Sequence, residues 1–287
     1  MDIADLRVFA AVVEQGGVTR AARHLHRVPS TVTARVLHLE DYLGVKLFLR
    51  EGKSMRVTPP GRTLFGYARQ VLDLVKEAEE TVKCAAPSGK LRIGSMESTA
   101  AVRLPGPLAA FHAAYPEVAL ELKTASSRPL IAQLAAGELD AVFVADPPAD
   151  ERFARVTVFM ETLVIAAPRG HPPIAGPKDL KTRTALVFAE GCSYRARLDE
   201  WFRSFGTIAE NRVALSSYHA ILGGVAAGMG IGIMPVSVLN AFPDRDAISE
   251  HPLSPAFGDS PTEFVWRKGM YSPTLDAFVK ELKVEVP

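Results

Sequence analysis

Val18-Thr19-Arg20-Ala21-Ala22-Arg23-His24-Leu25, then His26-Arg27-Val28-Pro29, then Ser30-Thr31-Val32-Thr33-Ala34-Arg35-Val36-Leu37-His38-Leu39-Glu40-Asp41-Tyr42-Leu43, reads as two helices with a tight break between them. Thr19 can cap the first helix, and Ala21, Ala22 and Leu25 give it a small, close-packing face. Pro29 cannot continue that helix but suits the first turn of a new one. The second helix buries Val32, Val36, Leu39 and Leu43, spaced 4, 3 and 4. Ser30, Thr31, Thr33 and Arg35 occupy its other face near the N-terminus, hydroxyls and a guanidinium suited to phosphates and base edges. The expectation is a helix-turn-helix whose second helix enters a DNA major groove. On this stretch alone, the alternative is an ordinary αα-hairpin of a helical core.

Upstream, Leu6, Phe9, Ala10 and Val13 form a helical stripe that Gly16-Gly17 ends. Downstream of Leu43-Gly44 the period changes. Residues 46–50 and 55–58 are two short strand candidates around Glu51-Gly52-Lys53-Ser54, a hairpin whose Arg50, Lys53 and Arg56 form a cationic wing. With Thr19 and Arg20, these residues complete the expected DNA-binding set, and binding through them should weaken as salt rises. After Pro59-Pro60-Gly61 a long helix runs to about residue 86. Its Leu64, Ala68, Val71, Val75, Ala78 and Val82 are spaced 4, 3, 4, 3, 4, the period of a coiled-coil seam. A dimer across it would present two helix-turn-helix units to two half-sites. The expected domains are 1–60 for DNA binding, 61–88 for the linker helix and 89–287 for the remainder.

Charge divides the same way. Residues 1–69 carry 11 Lys and Arg against 6 Asp and Glu, whereas the other 218 carry 22 against 26. A basic N-terminal module on a mildly acidic body fits a protein that meets nucleic acid at one end. No apolar run approaches a membrane span, and Asp2 and Asp5 break any export-signal pattern. The two cysteines, Cys84 and Cys192, give no disulfide framework, so a cytoplasmic location is expected.

From residue 89 strand and helix signals alternate, as in α/β proteins. Strands are expected over 91–96, 118–123, 140–145, 162–167, 185–188, 212–216, 231–234 and 263–267. Helices are expected over 99–115, 129–139, 194–205, 218–227 and 274–283. Two α/β sets in succession predict two lobes around a cleft, with crossovers at Asp146-Pro147-Pro148 and near Phe264-Trp266.

Across essentially its whole length the chain resembles a LysR-type transcriptional regulator. The resemblance is carried by Phe9 to Ala22, Val32 to Val36, Leu39 to Phe48, Leu49-Arg50 and Val57-Thr58-Pro59-Pro60-Gly61. In the second half it is carried by Leu91-Arg92-Ile93-Gly94, Gly137-Glu138-Leu139-Asp140-Ala141 and residues 228–235. It implies a winged helix-turn-helix, a dimerising linker helix and a two-lobed α/β effector domain similar to periplasmic binding proteins. It also implies a homodimer or homotetramer on an interrupted inverted repeat of double-stranded DNA, with RNA polymerase as a further partner if the protein activates. Val28-Pro29-Ser30 replaces the family's usual Ser-Gln-Pro, leaving Ser30 as the expected cap, and Ala34 stands where many members have arginine.

Ligands of α/β lobes sit beyond the carboxyl ends of strands, at helix N-termini. This places a small polar effector, expected to be an anion, among Ser95, Ser98, Thr99, Ser126, Ser127, Ser193 and Ser217, with Arg195 or His219 as the charged contact. Glu97 counts against an anion if it points inward. No cofactor or metal is expected, since the histidines and cysteines lack ligand spacing. Gly228-Met229-Gly230-Ile231-Gly232 is preceded by a helix and followed by a strand, the reverse of a dinucleotide loop. The rival class is a small-molecule binding protein or enzyme that dimerises through its N-terminal helices, with Cys192 and His219 as a conceivable nucleophile pair. A redox role for Cys192 is a further alternative, set against the 108 positions that separate it from Cys84.

Overall fold

The computed structural model describes all residues except 52, 53, 84–86, 271 and 283–287, with backbone alone at 50, 51, 54, 77 and 80–83. The chain divides into two compact units, Met1–Ala85 and Ala86–Pro287. The first comprises α1 (Ile3–Glu14), α2 (Val18–His24), α3 (Pro29–Leu43), β1 (Phe48–Glu51), β2 (Ser54–Val57) and α4 (Pro59–Lys83).

In α1, Asp2 accepts from the Asp5 N–H at 2.7 Å and Asp5 accepts in return from the Asp2 N–H, a reciprocal capping box. Thr19 does not cap α2. Gly17, at φ 155°, holds a backbone conformation that side chains resist, so the helix starts at Val18 without a side-chain cap. Nor does Ser30 cap α3, which begins at Pro29 with Val28 as its uncapped first flank. Gly44, left-handed at φ 65°, ends it. Val32, Val36 and Leu39 are buried with Leu6, Phe9, Ala21, Ala22, Leu47 and Ala68 in one core, against which Leu43 packs.

Two polar contacts lock this unit. Glu40, buried near the end of α3, accepts from Lys46 Nζ at 2.8 Å, the Leu47 N–H at 2.9 Å and the Phe48 N–H at 3.1 Å. One carboxylate thereby fastens the hairpin to the helix, and Phe48 pairs with Val57 in the β1–β2 ladder. Burial opposes the charge on Glu40, but Lys46 and the two amides outweigh it and hold the carboxyl below its ordinary range. The second contact corrects an expectation. Arg35 does not extend away from the protein: its Nη1 lies 2.7 Å from Oδ1 of the buried Asp5, across on α1.

The expected coiled-coil seam also divides. Ala68 is buried, and Leu64 packs on the unit's own core with Phe65 and Leu72. The outward stripe of α4 is instead Tyr67, Val71, Leu74 and Ala78, again spaced 4, 3 and 4, with Leu74 57% exposed. The side chain of Val82 lies outside the described residues.

The second unit comprises β3 (Gly89–Ser95), α5 (Glu97–Val102), α6 (Pro105–Ala114), β4 (Val118–Thr124), α7 (Ser127–Ala135), β5 (Ala141–Ala145) and β6 (Phe153–Pro168). Then follow β7 (Thr184–Val187), α8 (Ser193–Ser204), β8 (Asn211–Ala214), α9 (Tyr218–Ala226), β9 (Gly232–Pro235) and α10 (Val236–Asn240). β10 (Ile248–Pro252), α11 (Pro255–Gly258), β11 (Asp259–Arg267) and α12 (Pro273–Glu281) close it. The main sheet runs β10-β6-β11-β5-β3-β4, with β9 also on β6. β3 is parallel to β4 and β5, whereas β11 is antiparallel to both β5 and β6.

β6 is the strand the lobes share. Residues 153–162 pair with β11 in the first lobe, and 163–168 pair with β9 and β10 in the second. The chain thus crosses within β6, beyond the expected break at 146–148, and returns through α11 into β11, the strand that holds Phe264-Trp266. Residues 153–161 were not expected as strand because their apolar positions are mostly half-exposed. The expected single helix over 99–115 is two, parted where Pro105 opens α6. β4 is an edge strand, and its Leu122 is 42% exposed. Gly230 makes the turn between α9 and β9, where a Cβ would fall 2.4 Å from the Thr184 carbonyl oxygen. That close approach accounts for the glycine without a phosphate.

Glu40→Ala should strand the buried Leu47 and Phe48 amides and destabilise the first unit by ~1–3 kcal/mol for each, read as a lower urea midpoint by circular dichroism. Because the folded carboxyl is held low, its contribution is present above the unfolded value near 4.5 and is lost as pH falls through the folded value. Glu40→Gln should therefore flatten the acid side of the stability curve. Arg35→Ala should lower the same midpoint by about 1–2 kcal/mol, a figure discounted for the partial exposure of the arginine. Adding Asp5→Asn should recover part of the loss, whereas an unchanged Arg35→Ala midpoint would show that the pair contributes nothing.

Candidate functional site

Beyond the core-facing stripe of α3, the exposed positions follow one line along the helix: Ser30, Ala34, Leu37 and Asp41, flanked by His38 and Tyr42. Thr31 and Thr33 are half-buried at its edges, and the Thr33 hydroxyl donates to the Pro29 carbonyl at 3.0 Å. Thr19 and Arg20 are exposed on α2, with Arg20 Nη2 donating to the Gly16 carbonyl at 2.8 Å. Arg56 is exposed on β2. The Arg50 side chain and Lys53 lie outside the described residues. Arg23 and Arg27, also exposed, add cations around the turn before α3 that the sequence reading left unassigned. The front of α3 therefore offers one free hydroxyl, a small alanine and no side chain longer than leucine, between cationic neighbours. That surface lets a helix approach closely and leaves charge to its flanks.

The second site lies within the α/β unit, where a cavity of about 530 Å³ opens between the lobes. The first lobe contributes the turn into α5 and the segment into α7; the second contributes the segments leading into α8 and α9. Ser98, Ser126, Ser127 and Ser193 line it, and Ser95, Thr99, Arg195, Ser217 and His219 do not. Ser95 is buried and donates to the Met96 carbonyl at 2.9 Å, while Ser217 caps α9 by accepting from the Ala220 N–H. Arg195 donates to the Phe188 carbonyl and lies 3.6 Å from Glu190; His219 is exposed, its ring 6.1 Å from that of Phe242. The charged contact expected for an anion is thus absent from the lining. For Arg195 the reason is local, since Glu190 and the Phe188 carbonyl draw its guanidinium aside.

Sequence reasoning missed most of the wall, which is apolar and aromatic: Met96, Phe188, Tyr194, Leu215 and Tyr218, with Glu97 and Cys192 beside them. These residues carry the pattern of core, and most of them are core as well. Phe188 and Tyr218 meet edge-on at 4.8 Å. Ser193 Oγ donates to the Ala145 carbonyl at 2.7 Å, and Ser127 donates to Ser193 at 2.9 Å, because the carbonyl can only accept. Glu97 Oε2 is buried with no hydrogen-bond partner among the described residues, and the Ser98 hydroxyl lies beside the phenols of Tyr194 and Tyr218.

Burial pushes the Tyr194 and Tyr218 phenols up and raises the Glu97 carboxyl, which the Tyr218 N–H and nearby His219 partly offset. Burial likewise raises the Cys192 thiol against the opposing Arg195 and Tyr194 amides. A thiol kept protonated, with His219 outside the cavity, is poorly set for nucleophilic or redox chemistry; Cys84 lies outside the described residues. Among the described residues no group of three or more His, Cys, Asp or Glu side chains could hold a metal, and no helix is long and apolar enough to cross a membrane. The chemistry available is binding.

Comparison with known proteins covers both units. The model of a bacterial regulatory helix-turn-helix protein of the lysR family matches residues 3–62, and that of the LysR substrate binding domain matches residues 85–286. The HTH-type transcriptional regulator GltR of Bacillus subtilis (strain 168) is 35% identical over 285 residues, 99% of this chain and 96% of the relative. YofA of the same organism, an HTH-type transcriptional regulator too, is 34% identical over 98% of each chain. Among solved structures, a full-length OxyR variant from Pseudomonas aeruginosa superposes with a TM-score of 0.78 at 23% identity, covering 99% of this chain and 95% of that one. Full-length CbnR in complex with its target DNA superposes with a TM-score of 0.66 at 24% identity, over 99% of each chain. With a helix-turn-helix, a two-lobed α/β unit and matches along nearly its whole length, the chain belongs to the LysR family of transcriptional regulators.

Proposed function

We propose that the chain regulates transcription by setting α3 into the major groove of double-stranded DNA, with the β1–β2 hairpin on the flanking phosphates. The observation that carries this reading is the exposed front of α3, where Ser30 and Ala34 follow the exposed Arg27. Ser30, with the edge hydroxyls Thr31 and Thr33, meets base edges or phosphates; Thr19, Arg20, Arg50, Lys53 and Arg56 meet the backbone. Arg35 acts one step removed, by holding α3 against Asp5.

The outward stripe Tyr67, Val71, Leu74 and Ala78 supports dimerisation through α4, since a 25-residue helix with a period-3.5 apolar face seeks a partner. A homodimer, or a homotetramer built from two, would place paired α3 helices on an interrupted inverted repeat. RNA polymerase is a partner if the complex activates. The interlobe cavity takes a small polar effector. A ligand touching both lobes shifts their equilibrium only by its differential affinity for their arrangements, and regulation follows from that bias.

A gel shift of the full chain on the duplex flanking its own gene tests the reading. Lys53→Ala and Arg56→Ala should each weaken binding on specific and random DNA alike and lower the log–log salt slope by about 1. Ser30→Val should weaken binding to the flanking duplex more than to random DNA. Failure to bind any duplex, or salt slopes unmoved by both substitutions, would overturn it. Leu74→Glu places a charge in the outward stripe and should convert the dimer to monomer by light scattering, with loss of paired half-site binding; a dimer that survives would rule out α4 as the interface.

A further inference from the structure

We infer that the effector of the interlobe cavity is an organic cation, a small amine with an apolar body, rather than an anion. The inference rests on the reading of the cavity as the effector site and deepens it by naming the chemical class.

The lining holds no lysine, arginine or histidine, and its one ionisable acid is Glu97. Glu97 Oε2 is buried and has no hydrogen-bond partner among the described residues. A carboxylate oxygen left in that state is costly unless something brings it a proton or a positive charge. Two of the lining hydroxyls also favour a donor ligand. Ser193 spends its hydrogen on the Ala145 carbonyl and Ser127 spends its own on Ser193, so both present lone pairs to the cavity. Lone pairs accept from an ammonium and repel a carboxylate.

Helix N-termini are the usual counter-argument, because their free amides attract anions. Here several are already committed. The Arg128 N–H of α7 donates to the Gly191 carbonyl, and the next residue, Pro129, has none. In α9 the Ala220 N–H is held by Ser217 Oγ, and the Tyr218 N–H faces Glu97 itself.

The remaining wall suits the rest of a cationic ligand. Phe188 and Tyr218, edge-on at 4.8 Å, offer aromatic surface to a cation, and Met96 offers a polarizable thioether. Tyr194 and Ser98 are buried, at 2% and 3% exposed, and the Ser98 hydroxyl lies beside the phenols of Tyr194 and Tyr218. Both are positioned to complete the shell of an ammonium group. A cavity of about 530 Å³ leaves room for an apolar body of one ring or a branched chain.

The test is calorimetry of the full chain with benzylamine, phenethylamine and isobutylamine, each beside its alcohol and carboxylate isosteres at one salt concentration. At least one amine should bind on the order of tenfold or more tightly than its two isosteres, the increment of a charge-assisted hydrogen bond to a buried carboxylate. Glu97→Gln should abolish that preference while leaving alcohol binding in place, and Tyr194→Phe should weaken the amine severalfold. If Glu97→Gln fails to fold by circular dichroism, Glu97→Asp, which withdraws the carboxylate by one methylene, should lower amine affinity with the fold intact. Carboxylates binding best, with cavity-filling Ala125→Trp abolishing it, would overturn the cation and leave the effector cavity standing. Binding of any probe that Ala125→Trp and Ser98→Val both leave unchanged would overturn the cavity itself. No binding by any amine would overturn the cation.

Discussion

The second unit depends on one strand belonging to two sheets. β6 pairs with β11 along its first ten residues and with β9 and β10 along its last six, so neither lobe can be completed without it. Phe111, Phe143, Phe264 and Phe278 centre the first lobe's core and Trp201, Phe202, Ile221 and Val225 the second's, which Met96 and Ala145 join from the first lobe. What lies between them is the space where strands stop and helices begin. A continuous strand lets the lobes tilt about its middle without breaking either core. Burial of the flanking side chains nevertheless resists any large separation.

The first unit is governed by a related economy: buried carboxylates are tolerated only where donors converge on them. Glu40 collects an ammonium and two amides, and Asp5 collects a guanidinium and closes the box with Asp2. Both ties end on α3, one holding it to the hairpin and the other to α1. The helix that must present a stiff face to a groove is thus clamped at opposite sides by charge-assisted bonds, with Val32, Val36 and Leu39 buried between. Arg35 is part of that clamp.

Element order, the helix-turn-helix and the two-lobed plan were legible in the sequence because each rests on local signals: the period of 3.6, the alternation of strands, the breaks at Pro29, Gly44 and Pro105. What was not legible depends on residues far apart in sequence. Nothing near Arg35 reveals that Asp5 waits 30 positions upstream to take its charge. The period of α4 announced an apolar seam but not which of two adjacent stripes would meet the protein's own core. Leu64 and Ala68 turned inward toward it, and Tyr67, Val71, Leu74 and Ala78 were left outside. In the cavity the serines were legible as loop hydroxyls ahead of helices. Phe188, Tyr194 and Tyr218 were not, because a wall of a binding cavity and a patch of core share the same composition. Hydroxyl direction lay beyond any sequence argument, since only the distance to the Ala145 carbonyl shows which way Ser193 donates.

That direction has a consequence for regulation. Glu97 stands on α5 of the first lobe, and the amide and ring that oppose its burial, Tyr218 and His219, stand on α9 of the second. The carboxylate is therefore shared across the cleft, and its free energy changes with the separation of the lobes. When the lobes are close, α9 supplies partial positive charge but water is excluded; when they are apart, water solvates the group and the helix withdraws. A ligand that reaches Glu97 alters this balance directly, because it substitutes for one of those two sources of stabilisation in only one of the two arrangements. A ligand bound at Glu97, as proposed above, would link occupancy to lobe separation through this one half-buried acid. No chain of intermediates is needed to carry the coupling, since the group that senses the ligand is also one that the second lobe contacts.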